Sequence, residues 1–188
     1  MTTHLVVPGV LGDLPRLGEI GELPRFPHLE RLLSRADQQV APDDYASTLF
    51  DLFGLSVPEQ ADIPTAAICY QAEPKAVTVD AAYFLHADPL HLRPDQDRLL
   101  AFDFHHQLLD VDEAQQFAEA FNQHFAEDGI RLLTPHVTRW YLAVTHSSDL
   151  QTRPLSEVLG RNIDLFLPEG ADARKWRGWM NEVQMLFY

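Results

Sequence analysis

Cysteine is all but missing from this chain. Cys69 stands alone, which excludes an internal disulfide framework and any zinc site built from several thiolates. No uncharged apolar run reaches the length of about eighteen residues that a membrane-spanning helix needs. The opening Met1-Thr2-Thr3-His4-Leu5-Val6-Val7-Pro8 lacks a basic segment ahead of its apolar stretch, so no secretion signal is expected and a cytoplasmic location is. Basic residues are scarce, 14 Lys and Arg against 28 Asp and Glu, for a net charge of −14. No basic stripe offsets that charge, so a phosphate backbone is repelled and nucleic-acid partners are not expected. An acidic surface of this kind serves solubility. A Gly-rich phosphate loop, a Ser-His-Asp pattern and an HExxH motif are all absent.

What remains is enough for a core. The 188 residues are 46% hydrophobic, sufficient for one domain or two small ones. His4 to Val7 reads as a short buried strand closed by Pro8-Gly9, and residues 13 to 27 as loop. Pro27 to Leu33 opens a helix with Leu29, Leu32 and Leu33 on one face. Asp43-Asp44 suit the cap of a second helix, with Ala46, Leu49, Phe50 and Phe53 inward and Gly54 as its stop. Thr65 to Tyr70 reads as another buried strand, with Cys69 an inert buried thiol. Strand alternating with helix suggests an open α/β sheet for residues 1–78.

Residues 79–170 follow a different rhythm. Ala82 to Leu85 and Leu99 to Phe102 read as strands with a hairpin-like Pro94-Asp95-Gln96-Asp97 between them. Asp112 to Asp128 is an amphipathic helix, with Ala114, Phe117, Ala118, Phe121 and Phe125 at helical spacing and Gly129 as its stop. Ile130 to Leu133 and Trp140 to Val144 read as strands, and Leu155 to Leu159 as a short helix. This is a ferredoxin-like α+β cadence, a fold that implies no particular function. A terminal helix from about Asp172 occupies residues 171–188. Trp176, Trp179, Met180, Val183 and Phe187 form one stripe, with Met185, Leu186 and Tyr188 adding apolar area elsewhere. Such a helix packs deep, or leads into a region past Tyr188.

Several segments together resemble the archaeal-type cofactor-independent phosphoglycerate mutases of the alkaline phosphatase superfamily. Leu5 to Asp13 is similar to their first strand and loop, and Phe26-Pro27-His28-Leu29-Glu30-Arg31-Leu32 to a Thr-Pro-Asn-Leu-Asp-x-Leu helix start. Asp44 to Leu55 resembles the segment carrying the nucleophilic serine. Ala82 to Phe102, the 112–128 helix, Ile130-Arg131-Leu132 and Arg139-Trp140-Tyr141-Leu142 resemble the inserted domain in order and spacing. Asn181-Glu182-Val183 resembles the helix leading back to the catalytic domain. Ala87 to Arg93, Arg139 to Leu142 and Asn181 to Leu186 resemble still more closely a bacterial family described as phosphoglycerate mutase-like or as regulators of pathogenicity factors. The resemblance implies an incomplete alkaline-phosphatase-like α/β portion joined to the ferredoxin-like portion, and a longer chain.

The departures from that family bear on chemistry. Its first-strand Asp binds one of two metals, and Pro8 stands there. Its nucleophile falls near Tyr45, flanked by Asp44 and Ala46, while Ser47 lies roughly 200° around a helix. The family's other metal ligands lie in a region past Tyr188. The resemblance therefore implies a non-catalytic protein that binds a phosphorylated or carboxylated metabolite, or a protein partner, in a regulatory role. Its alternatives are a metal-dependent phosphotransferase using Mn or Mg at a rearranged site, and an interaction module or homodimer docking through the terminal helix.

The densest polar cluster runs from His86 to Arg98. If residues 84 to 93 are extended, His86 and Asp88 share a face, and a turn at Pro89 brings His91 near them. These three suit a divalent metal, or acid–base work by histidine. Arg93 and Arg98 suit a bidentate grip on phosphate or carboxylate. The alternative is a hairpin whose polar residues cap its turn and pair across strands. Arg139 offers a guanidinium beside the rings of Trp140 and Tyr141. Alternation sets Trp140 and Leu142 on one face, Arg139 and Tyr141 on the other. His105-His106 read as an exposed loop pair.

Overall fold

The computed structural model describes residue 6 and residues 26–37, 45–55, 63–103 and 109–187. Two compact units divide the chain, Met1–Ser56 and Val57–Tyr188. Among the described residues they hold six α-helices and five strands in two small antiparallel sheets, a mixed α+β architecture. None of those helices is long and apolar enough to cross a membrane.

The first unit contains α1 (Pro27–Leu33) and α2 (Tyr45–Leu52). Pro27 opens α1, where its missing N–H costs nothing. Gly54, at φ +68°, lets Leu55 N–H reach the Phe50 carbonyl and its own N–H the Asp51 carbonyl, the paired bonds that close a helix C-terminus. Neither helix contains a buried residue. Phe53, expected inward, lies just past the helix end and is 77% exposed. The strand at His4 to Val7, Pro8 and the Asp43-Asp44 cap lie outside the described residues, Val6 excepted.

In the second unit, Thr65–Gln71 is a helix, α3, and not the strand that its apolar run suggests. A run of five apolar residues does not distinguish strand from buried helix, and the alanines tip the balance. Ala66 and Tyr70, four apart, become the buried stripe. Tyr70 then anchors the following loop, its hydroxyl donating to Val77 O at 3.0 Å and accepting from Val77 N at 3.1 Å. Cys69 falls on the outer side and is exposed, which corrects its reading as a buried thiol.

The main sheet comprises β1 (Tyr83–His86), β4 (Ile130–Leu133) and β5 (Tyr141–Val144) in the order β1-β5-β4. Both outer strands are antiparallel to β5 and so parallel to each other. All four residues of β5 are buried, because both faces are covered. Strand alternation sends Trp140, Leu142 and Val144 into one cluster with helices α4 (Val111–His124) and α6 (Ala173–Leu186). Tyr141 and Ala143 join Ala66, Tyr70 and Leu133 in the other, under α3. The hairpin-like turn does not link β1 to the strand at Leu99. β2 (Leu90–Asp95) pairs with β3 (Arg98–Asp103) across Gln96-Asp97, with Gln96 at φ +54°. Pro94 hid β2 from the sequence, yet a proline sits without penalty on a strand with one neighbour. The far side of β3 is held by Gly160 N–H to Ala101 O at 2.7 Å.

Helix α4 keeps the expected apolar stripe but ends at His124, short of the expected Asp128, with turns filling the stretch to Gly129. Asp110 accepts from Glu113 N at 2.7 Å and Glu113 accepts from Asp110 N at 2.9 Å, a complete capping box. Ala114, Ala118, Phe121 and Phe125 are buried. α5 (Leu155–Val158) and a 3₁₀ turn at Ile163–Phe166 lead to α6. Trp176 and Trp179 are buried beneath α6, and Phe187 meets Phe117 edge-on at 4.8 Å. The helix packs through one stripe only, and Met185 on another side is 79% exposed.

Candidate functional site

The six polar residues singled out from the sequence separate into three places. His86 ends β1, with Nε2 3.2 Å from Thr65 Oγ1 and its ring 5.4 Å from that of Tyr141. Asp88 spends an oxygen on the Trp140 backbone, accepting from its N–H at 2.8 Å. That bond locks the loop after β1 against the start of β5, and His86 and Asp88 do not converge with His91. No three His, Cys, Asp or Glu side chains among the described residues converge where a metal ion could sit. The two-metal centre implied by the resemblance has no donor set in them, and Pro8 lies outside them. Tyr45 is 51% exposed at the start of α2. His105 and His106 are outside the described residues.

His91, Arg93 and Arg98 belong to the hairpin instead. Asp95 stands opposite Arg98, and alternation along β2 puts His91 and Arg93 on that same face. Leu100 and Phe102 complete it, and the Arg93 guanidinium lies over the Phe102 ring, 5.5 Å from its centre. Arg98 approaches Asp97 at 3.9 Å with both side chains well exposed, a pairing that water screens heavily.

Arg139 has a different task. Its Nε and Nη2 donate to Oε1 and Oε2 of Glu73 at 2.6 and 3.0 Å. The Glu73 side chain is only 6% exposed, and it also accepts from the Tyr141 hydroxyl at 3.1 Å. This bidentate clamp ties the loop after α3 to the central strand. The Arg139 guanidinium holds the Glu73 carboxyl below its usual range, with the Tyr141 hydroxyl adding to it against the effect of burial. The same carboxylate raises Arg139. Burial first, and then Glu73, push Tyr141 up to about 12. Sequence reasoning placed Arg139 and Tyr141 on one face but missed Glu73, a lone acidic residue in a loop with no spacing to flag it.

A second polar knot fixes the start of α6. Asp172 Oδ2 accepts from Ser148 Oγ and from Asp149 N, each at 2.9 Å. Trp176 Nε1 donates to Ser148 Oγ at 3.0 Å. The Asp149 amide, and after it Ser148, hold Asp172 below the ordinary carboxylate range. These bonds tie the residue ahead of α6 to Ser148 and Asp149 in the loop after β5. No protein-family model, curated protein or solved structure matches this chain.

Proposed function

We propose that this chain acts by binding rather than by phosphoryl transfer. In this reading it is a phosphoglycerate mutase-like scaffold whose β2–β3 hairpin takes a small phosphorylated or carboxylated metabolite in a regulatory role. The observation that carries it is the shared face of Arg93 and Arg98, diagonal neighbours across two strands. Diagonal positions lie about 7–8 Å apart, a span that two long guanidinium side chains close around one anion. Arg139 and Asp88 are committed to Glu73 and the Trp140 amide, whereas Arg93 lies over the Phe102 ring and Arg98 beside the exposed Asp97, contacts that an anion can supplement or displace. Asp95 on the same face offsets one of their charges, which favours ligands carrying more than one negative charge.

The strand order β1-β5-β4, with β1 parallel to β4 and α4 and α6 on one face, supports the ferredoxin-like reading of residues 79–170. The alkaline-phosphatase-like reading of residues 1–78 rests on the sequence motifs. Calorimetric titration with phosphate, citrate and 3-phosphoglycerate tests the binding proposal. Binding that weakens at least tenfold in the Arg93→Gln, Arg98→Gln double variant supports it. Turnover of a phosphate ester with Mn or Mg, lost on chelation, would overturn it in favour of the enzyme. The 79% exposure of Met185 on α6 favours a second reading, a protein partner docked on that helix.

A further inference from the structure

The two edges of the main sheet are treated differently. On β4 the outward backbone groups of Leu132 are both taken by the Asn122 side chain, which donates to Leu132 O at 3.0 Å and accepts from Leu132 N at 2.7 Å. That closure also fixes the phase of the whole sheet. With Leu132 turned outward, Arg131 pairs with Ala143, and Leu142 and Val144 turn their backbone groups to β1. Ala87 N–H donates to Trp140 O at 2.9 Å, continuing the same phase. Tyr83 and Leu85 therefore bond to β5, and the N–H and C=O groups of Phe84 and His86 face the outer edge. Among the described residues nothing bonds to them.

We infer that β1 is a strand-pairing edge whose occupant is β1 of a second copy, joined antiparallel about a two-fold axis at Leu85. A second copy fits for two reasons. The outward groups sit symmetrically about Leu85, so Phe84 pairs with His86 of the other copy and His86 with its Phe84, and every outward donor meets an acceptor. The edge Tyr83-Phe84-Leu85-His86 also carries no Asp, Glu, Lys or Pro, the residues that ordinarily discourage pairing. In a chain of net charge −14, it is a place where two copies meet without opposed carboxylates on the strands. The two Leu85 side chains become a close, non-hydrogen-bonded pair on the α4/α6 face, and Phe84 meets the second copy's His86 on the α3 face. The product is one continuous sheet through both copies, which is an isologous closed dimer. It uses β1, not the terminal helix.

Sedimentation equilibrium on the whole chain tests this. The expected result is a concentration-dependent dimer near twice the 21.4 kDa chain mass. Of the backbone groups His86→Pro deletes only an outward N–H and leaves the bonds to β5, so it is expected to give a monomer. Its melting temperature falls only by what the lost ring contacts to Thr65 and Tyr141 supply, a loss that His86→Ala, with its N–H intact, reproduces as a dimer. His86→Lys, at an exposed position, is the second variant should the proline disturb folding; it places two like charges beside the axis. The Phe84 and His86 amides are expected to exchange slowly in the dimer and fast on dilution. A parent monomeric at every concentration, a dimer that survives both His86→Pro and His86→Lys, or slow exchange of those amides in a monomer would each overturn the inference.

Discussion

Asn122 on α4 completes the backbone pairing of Leu132 on β4, giving and taking one hydrogen bond through a single side-chain amide. An amide side chain is the group that can mimic a neighbouring strand in this way, because it carries a donor and an acceptor side by side. Asn122→Ala leaves both backbone groups of a buried residue without a protein partner. A loss of about 1–3 kcal/mol in a urea titration is expected. Asn122→Asp keeps the acceptor but faces the Leu132 carbonyl with a charge, so it is expected to lose at least as much. Equal stability of all three proteins would show that water serves the edge as well as Asn122 does.

The clamp of Glu73 by Arg139 and Tyr141 sets both limbs of a pH profile. The folded carboxyl of Glu73 is depressed below its ordinary 4.5, so its contribution is present above that value and lost as pH falls through the folded one. Tyr141 is raised from 10 to about 12, so its contribution is full below pH 10 and is lost as pH rises through about 12. Glu73→Gln is expected to lower the melting temperature at pH 7 and to flatten the acid limb. Tyr141→Phe removes the titrating hydroxyl and is expected to flatten the alkaline limb. Acid limbs of identical slope in the parent and Glu73→Gln would remove Glu73 from this role.

Tyr83 presents the opposite case. Its hydroxyl is buried with no hydrogen-bond partner among the described residues, and burial raises its pKa. Tyr83→Phe deletes a polar atom that was desolvated without compensation, while the ring keeps its contacts with the α4/α6 core. The expected change is zero or a gain of up to about 1 kcal/mol in unfolding free energy. A clear loss would reveal that the hydroxyl is satisfied, with the Ser148 side chain, which acts on Tyr83, the group to satisfy it.

How far these features were visible in advance follows from the range of the interactions. Helix α4 was legible because its apolar stripe is local, with phenylalanines at helical spacing. Its ends were less so, since the pattern runs on from Asp112 to Asp128 while the helix is Val111–His124, capped by Asp110 with Glu113. The strands at Tyr83, Ile130 and Tyr141 were legible as apolar runs. Their pairing was not, because β1 meets β5 across about sixty residues and skips the hairpin between (Tyr83 against Val144). Helix α3 was lost because Thr65 to Tyr70 is too short to show a period. In the polar cluster the residues were found but their employment was not. Asp88 and Arg139 looked available until their partners, the Trp140 amide and Glu73, were located in space. No spacing rule foreshadows Glu73.

Gly129 and Gly160 allow the cost of a left-handed residue to be separated from the cost of a clash. Both adopt φ +73°. A Cβ at Gly160 meets nothing within 4 Å, whereas one at Gly129 would lie 2.5 Å from Thr145 Oγ1 and 3.0 Å from His146 Nδ1. Gly160→Ala is therefore expected to cost only the backbone penalty, about 1–2 kcal/mol. Gly129→Ala pays that and must also displace Thr145, whose hydroxyl donates to Gly129 O at 3.1 Å and whose N–H donates there at 2.9 Å. The loss at Gly129 is thus expected to exceed that at Gly160 by about 1 kcal/mol or more, the usual cost of one hydrogen bond. Because those bonds join the residue before β4 to the residue after β5, the excess should appear as faster amide exchange at Thr145, absent in Gly160→Ala. Equal costs at the two glycines, with Thr145 still protected, would mean that the turn yields without strain.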